Sequence, residues 1–71
     1  MTAPDTLGDA LPREMARVRD EVMPAYLEIG PPGALALAMM RADLDLAAEA
    51  MARGDVVAML RCYESLKGYE L

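Results

Sequence analysis

The sequence predicts an all-α, three-helix bundle-like domain, and three observations point to this fold. Ala, Leu and Met dominate the apolar residues and favour helix, whereas β-branched residues are scarce. Apolar residues recur every three or four positions over three segments, at roughly 11–29, 33–53 and 55–67. Glycine and proline separate the segments, in GPPG at 30–33 and at Gly54. We therefore expect a flexible N-terminal arm over residues 1–10 and a single helical domain over residues 11–71.

The first predicted helix has one apolar stripe and one internal proline. The stripe consists of Leu11, Met15, Val18, Val22, Tyr26 and Ile29. Pro24 interrupts the hydrogen bonds, because proline lacks the N–H that would donate to the carbonyl of Asp20. The stripe keeps its phase across Pro24, so we expect a kinked helix rather than two helices. Met23 and Leu27 add apolar surface beside the stripe and are assigned to a candidate partner-binding surface.

Five residues are assigned structural roles at the predicted helix ends. They are Gly30, Gly33, Gly54, Asp55 and Gly68. Gly30, Gly54 and Gly68 are expected to end helices in the left-handed conformation, where glycine has no Cβ to clash. Asp55 can accept from the free N–H groups at the start of the third helix. For the first helix, Asp9 or the residue after it is the expected cap, with Pro12 in the first turn.

The tripeptide Arg53-Gly54-Asp55 is also the motif that adhesion proteins present to integrins on exposed loops. The N-terminal stretch MTAPDTLGDALP has neither the basic start nor the apolar core of a secretory signal. The lone cysteine, Cys62, fits a reducing compartment. We therefore expect a helix junction without integrin binding, and a cytoplasmic location of bacterial type.

The second predicted helix is apolar on two opposite faces. One face holds Leu37, Met40, Leu44, Ala47 and Met51. The other face holds Leu35, Met39, Ala42, Leu46 and Ala50. Such a helix is buried on both sides, either between the other two helices or between its own domain and a partner chain. We expect the first face inside the domain and assign Leu35, Met39 and Leu46 to the interface of a homodimer.

The third predicted helix has a single apolar stripe. Its members are Val56, Met59, Leu60, Tyr63 and Leu66. Tyr69 follows the helix and is expected to fold back against Tyr63. These residues are expected to complete the core of the domain.

Charge and residue types argue against several functions. A net charge of −5 disfavours direct nucleic-acid binding, and the longest uncharged stretch, 29–40, is too short to span a membrane. One cysteine and no histidine exclude the familiar zinc sites within one chain, and Asp43, Asp45 and Glu49 are interpreted as a solvated face. Cys62 has no histidine base and is expected to be a small buried hydrophobe. We expect no enzyme activity, metal or cofactor.

The segment GDVVAMLRCYESLKG, residues 54–68, resembles the second helix of a tetratricopeptide-type hairpin. The matching positions are Gly54, Asp55, Leu60, Tyr63 and Glu64. Met59 stands where such hairpins have a small residue at the helix crossing, and the 34-residue period has no second copy. The resemblance implies packing of two neighbouring helices, not a repeat scaffold.

Two further segments, MPAYLEIGPPGALALAMM and EAMARGDVVAMLRCYESLKG, resemble small helical proteins encoded by bacteriophages and prophages. With no catalytic motif and one surplus apolar face, the sequence favours a non-enzymatic protein-binding accessory protein. The alternative is an acidic inhibitor that competes with nucleic acid for a host defence or DNA-processing enzyme.

Overall fold

The structure, a computed structural model, describes residues 6–70 and confirms an all-α fold of three helices, with no strand in that range. The first helix has two α-helical parts joined by a π-helical turn. The elements are α1 (Leu7–Arg17), the π turn (Val18–Val22), α2 (Met23–Ile29), a 3-10 turn (Pro31–Gly33), α3 (Ala34–Arg53) and α4 (Val56–Lys67).

The first helix begins earlier than the sequence predicts. Thr6 is its cap: the Thr6 Oγ1 accepts from the backbone N–H of Asp9 at 3.3 Å and donates to the Asp9 carboxylate at 2.9 Å. Asp9 is therefore the third residue of α1 rather than the cap, and Pro12 lies inside the helix, beyond the first turn. The N-terminal arm was predicted to extend to residue 10, but residues 7–10 belong to α1. Residues 1–5 of the predicted arm lie outside the described residues.

The first helix continues through Pro24. The N–H of Met23 donates to the carbonyl of Val18, five residues back, which is the π pattern. Val22 and Met23 both keep right-handed helical angles. The wider turn directly before Pro24 fits a position where the proline cannot donate and its ring crowds the preceding turn. The irregularity at Pro24 is thus a π turn within one helix, not a break.

The turn between α2 and α3 depends on two glycines. Gly30 has a positive φ of 81°, but its ψ of −146° is extended rather than left-handed helical, so the expected left-handed cap is wrong in detail. Gly33 is buried, and a Cβ there would lie 2.6 Å from the carbonyl oxygen of Tyr26. A side chain at 33 would therefore push α2 away from the start of α3.

The Arg53-Gly54-Asp55 tripeptide forms the junction between α3 and α4. Gly54 is left-handed, with φ 65° and ψ 26°, and its N–H donates to the carbonyl of Met51 at 3.2 Å. The N–H of Asp55 donates to the carbonyl of Ala50 at 3.0 Å, which completes a Schellman motif. The Asp55 carboxylate then accepts from the N–H of Ala58 at 3.1 Å and starts α4. One aspartate therefore closes α3 and opens α4.

Gly68 does not adopt the expected left-handed conformation. Its φ of −73° and ψ of −16° are right-handed. The last turn tightens instead, because the N–H groups of Gly68 and Tyr69 donate to the carbonyls of Ser65 and Leu66 at 3.2 and 3.1 Å. These bonds satisfy the end of α4 without a left-handed residue.

The core lies where α4 packs against α1 and α3. Its buried members among the described residues are Leu11, Val18, Val22, Met40, Ala47, Ala50, Met59 and Leu66. On α3 the predicted inner face is confirmed: Met40 and Ala47 are buried, and Leu44 and Met51 pack against the core. Leu37, at the edge of this face, is half-buried.

The prediction of which side of α4 faces the core is partly wrong, because the helix is rotated about its axis relative to the predicted stripe. Met59 and Leu66 are buried and Tyr63 packs against the core, but Val56 and Leu60 are 66% and 51% exposed. Ala58 and Cys62 pack against the core in their place. Both of these small side chains line a groove together with Ala50 of α3.

Candidate interaction surface

A row of apolar side chains remains exposed along α3. Its members, which we call the α3 stripe, are Leu35, Met39, Ala42 and Leu46. The exposed fractions of Leu35, Met39 and Leu46 are 73%, 52% and 55%. Ala50, which the sequence analysis assigned to this face, is instead 3% exposed and belongs to the core, because α4 packs at this end of the face. Among the described residues, no other helix buries the side chains of Leu35, Met39 and Leu46.

A groove between α3 and α4 adjoins the α3 stripe. We call it the α3–α4 groove; it encloses about 190 Å³ and is mainly apolar. Its lining residues are Leu46, Ala50, Ala58 and Cys62, with Glu49, Arg53 and Arg61 around them. Leu46 belongs to both the stripe and the groove, so the two features form one continuous apolar surface with charged side chains at one margin.

The two candidate residues on α2 have different environments. Leu27 is 63% exposed and is available to a partner. Met23 is half-buried and packs against the core, so its position favours a structural role. Ile29, the last residue of the predicted first stripe, is 54% exposed and does not join the core.

The outer face of α4 is a second exposed apolar patch, which the sequence analysis missed. It consists of Val56, Val57 and Leu60. Apolar residues occur almost all the way round this helix, so periodicity alone could not decide which side faces the core. The small residues Ala58 and Cys62 are the signal that indicates the correct side, because both pack against the core.

The acidic residues of α3 do not share one environment. The Asp43 carboxylate accepts a hydrogen bond of 2.7 Å from the hydroxyl of Tyr69. Glu49 pairs with Arg53 at 3.1 Å, one helical turn later. Asp45 is exposed. Among residues 6–70, no three acidic or cysteine side chains are placed to hold a metal ion.

Arg17 links α1 to the end of α4, a contact that the sequence analysis did not find. Its Nη2 donates to the carbonyls of Leu66 and Tyr69 at 3.1 and 2.8 Å. Glu14 holds the same guanidinium from the preceding turn at 3.2 Å. A cation at this position also suits the negative end of the α4 dipole.

Tyr69 and Cys62 both lie near Asp43. Burial raises the pKa of the Tyr69 hydroxyl to about 12, and the hydrogen bond to Asp43 and its negative charge act in the same direction. Burial also raises the pKa of the Cys62 thiol, again with a contribution from the charge of Asp43. A raised thiol pKa lowers the thiolate fraction, so the chemistry of Cys62 is that of a packed side chain rather than a nucleophile. The hydroxyl of Tyr69 therefore reaches α3, a contact that the sequence analysis did not expect.

Comparisons with protein families, with curated proteins and with solved structures return no match for this chain. Within the described residues, none of the helices combines the length and the apolar character required to cross a membrane. The geometry of the α3 stripe and the α3–α4 groove is therefore the basis for a functional proposal.

Proposed function

We propose that this protein is a non-enzymatic protein–protein interaction module that binds through the α3 stripe and the adjoining groove. The supporting observation is the continuous apolar surface from Leu35 to Leu46, exposed along one face of a regular helix. Burying apolar surface contributes about 25 cal/mol per Å², and contiguous exposed patches are typical of interaction sites. The partner is another protein, a second copy of the chain, or both.

The resemblance to small phage and prophage proteins extends this proposal. It implies an accessory protein acting in the cytoplasm of a bacterium or of a phage-infected cell. A single cysteine, which cannot form a disulfide within the chain, is compatible with that reducing compartment.

Affinity capture followed by mass spectrometry tests the proposal, with Met39→Glu compared to the wild type. A carboxylate in the middle of the stripe would be desolvated by a partner, so we expect the bound protein to be lost. Val56→Glu is the matched control, because Val56 is equally apolar and 66% exposed, but lies on α4. Equal recovery of the partner by both variants would contradict the proposal.

The alternative proposal is an acidic inhibitor that competes with nucleic acid for a basic channel, and its support is the net charge of −5. Two of the three acidic residues considered, Asp43 and Glu49, are already bound within the chain, so the apolar surface has the stronger support. Salt distinguishes the proposals. Binding through the stripe tolerates added salt, whereas binding by charge weakens steeply and is lost when Asp43, Asp45 and Glu49 are neutralised.

A further inference from the structure

We propose that the α3 stripe is covered by the α3 stripe of a second copy, in an antiparallel pair with two-fold symmetry. This inference rests on the proposed function, because it names the partner of the same surface. Three features of the described residues support it: the spacing of the stripe, the distribution of charge along α3, and the position of the groove.

The spacing of the stripe is that of a helix-pairing seam. Leu35, Met39, Ala42 and Leu46 are separated by four, three and four residues, which is the alternation of a heptad repeat. All four side chains are exposed, whereas the core-facing side of α3 packs against α2 and α4. A row of side chains with this spacing fits a second helix that lies along α3 better than a partner segment without regular secondary structure.

Charge along α3 sets the direction of pairing. The same spacing continues to Glu49 and Arg53. A parallel pair in register would place Glu49 against Glu49 of the second copy, and Arg53 against its Arg53. The first seven residues of α3, 34–40, have no charge. In an antiparallel pair, Glu49 and Arg53 of one helix lie beside or beyond the uncharged segment 34–40 of the other helix. Like charges are then kept apart, so the antiparallel direction is favoured.

The register follows from matching apolar positions. Leu35 lies opposite Leu46 of the second copy, and Met39 lies opposite its Ala42, so all four seam positions of each copy are paired and each of the two contacts occurs twice by symmetry. Ala42 is small, which lets the two helices approach closely near the two-fold axis.

The α3–α4 groove extends the same contact. Because Leu46 lines the groove, Leu35 of the second copy is placed at its mouth, above Ala50 and Ala58. A standard interface buries about 800 Å² on each partner, roughly one sixth of the 4858 Å² surface of this chain. The stripe and the groove together supply one continuous surface for such a contact.

Thiol cross-linking tests the direction and the register. In a Cys62→Ser background, which removes the native thiol, Ala42→Cys and Glu49→Cys are treated with a cross-linker of about 10 Å span. In the antiparallel pair the two Ala42 sites lie about 10 Å apart, and the two Glu49 sites are offset by about 25 Å along the axis. We expect Ala42→Cys to form a covalent dimer and Glu49→Cys to remain a single chain.

Each other outcome overturns the pairing in a defined way. Cross-linking of both sites would indicate a parallel pair. Cross-linking of neither, together with a single-chain mass for the Cys62→Ser parent by sedimentation, would exclude the pair. The proposed interaction function would then still be tested by affinity capture. A different partner that binds the same stripe would be recovered with the wild type and lost with Met39→Glu.

Discussion

The carboxylate of Asp55 holds the start of α4 through one hydrogen bond to the N–H of Ala58. Asp55→Ala leaves this donor without a side-chain partner, so we expect the free energy of unfolding to fall by about 1 kcal/mol. Urea denaturation measures the change. Asp55→Ser, which can still accept from the same N–H, should recover most of the loss, and an unchanged stability for Asp55→Ala would contradict the assigned role.

Also at the residue scale, Tyr69 makes stability depend on pH at the alkaline end. Its pKa is raised to about 12 in the folded chain, above the value near 10 of an unfolded tyrosine. The folded state therefore binds the phenolic proton more tightly. This contribution is complete below pH 10 and is lost as the pH rises through about 12.

Tyr69→Phe is the comparison that isolates this effect, because the other titrating groups stay the same. Between pH 10 and pH 12 we expect the urea midpoint of the wild type to fall more than that of Tyr69→Phe. Parallel pH profiles for the two proteins would contradict a pKa of Tyr69 raised by burial and by the hydrogen bond to Asp43.

Gly33 and Gly8 provide a matched pair of substitutions to alanine. The Cβ of Gly33→Ala would lie 2.6 Å from the Tyr26 carbonyl oxygen, so we expect a loss of about 1–3 kcal/mol from overpacking. At Gly8 the nearest atom is the Thr6 Oγ1 at 3.7 Å, an ordinary contact inside a helix. Gly8→Ala should raise stability by about 0.5–1 kcal/mol. Thermal unfolding of both variants measures the difference, and a loss at both positions would contradict this account.

At the scale of the elements, Arg17 is a polar link between α1 and the end of α4. Arg17→Met keeps much of the stem but removes the donors to Leu66 and Tyr69, and we expect a loss of about 1–2 kcal/mol. Arg19→Met is the control, since Arg19 pairs only with Asp20 on the exposed surface and such pairs contribute little. Equal losses in urea denaturation would contradict a specific role for Arg17.

The sequence predicted some elements well because one physical signal dominated them. Leu11, Val18 and Val22 follow a single stripe, and the inner face of α3 is separated from its outer face by charged residues. In α4 the apolar residues nearly encircle the helix, so the stripe was placed on the wrong side. The start of α1 was missed because Pro12 was taken to mark the first turn, although the Thr6 cap precedes it.

Only part of the candidate surface could be predicted from the sequence. Periodicity separates Leu35, Met39 and Leu46 from the core, and the structure leaves them exposed. The groove beside them depends on how closely α4 approaches α3, which is decided by tertiary packing. The Arg17 link joins residues about 50 positions apart in the chain, a pairing that no local pattern contains.

At the scale of the whole molecule, apolar surface exceeds what three short helices can bury. Eight hydrophobic residues form the buried core, and eight large hydrophobic residues are exposed among those described. A chain of 71 residues is short for a single core, and such chains commonly gain stability from association. Pairing through α3 would remove Leu35, Met39 and Leu46 from water in each copy.

Light scattering on a size-exclusion column tests this central claim most directly. At tens of micromolar, we expect the wild type to have twice the single-chain mass of 7.7 kDa and Leu46→Glu to have the single-chain mass with unchanged helicity. Val56→Glu should keep the doubled mass, because Val56 lies outside the stripe. A wild type with the mass of one chain, unchanged by Leu46→Glu, would contradict the account.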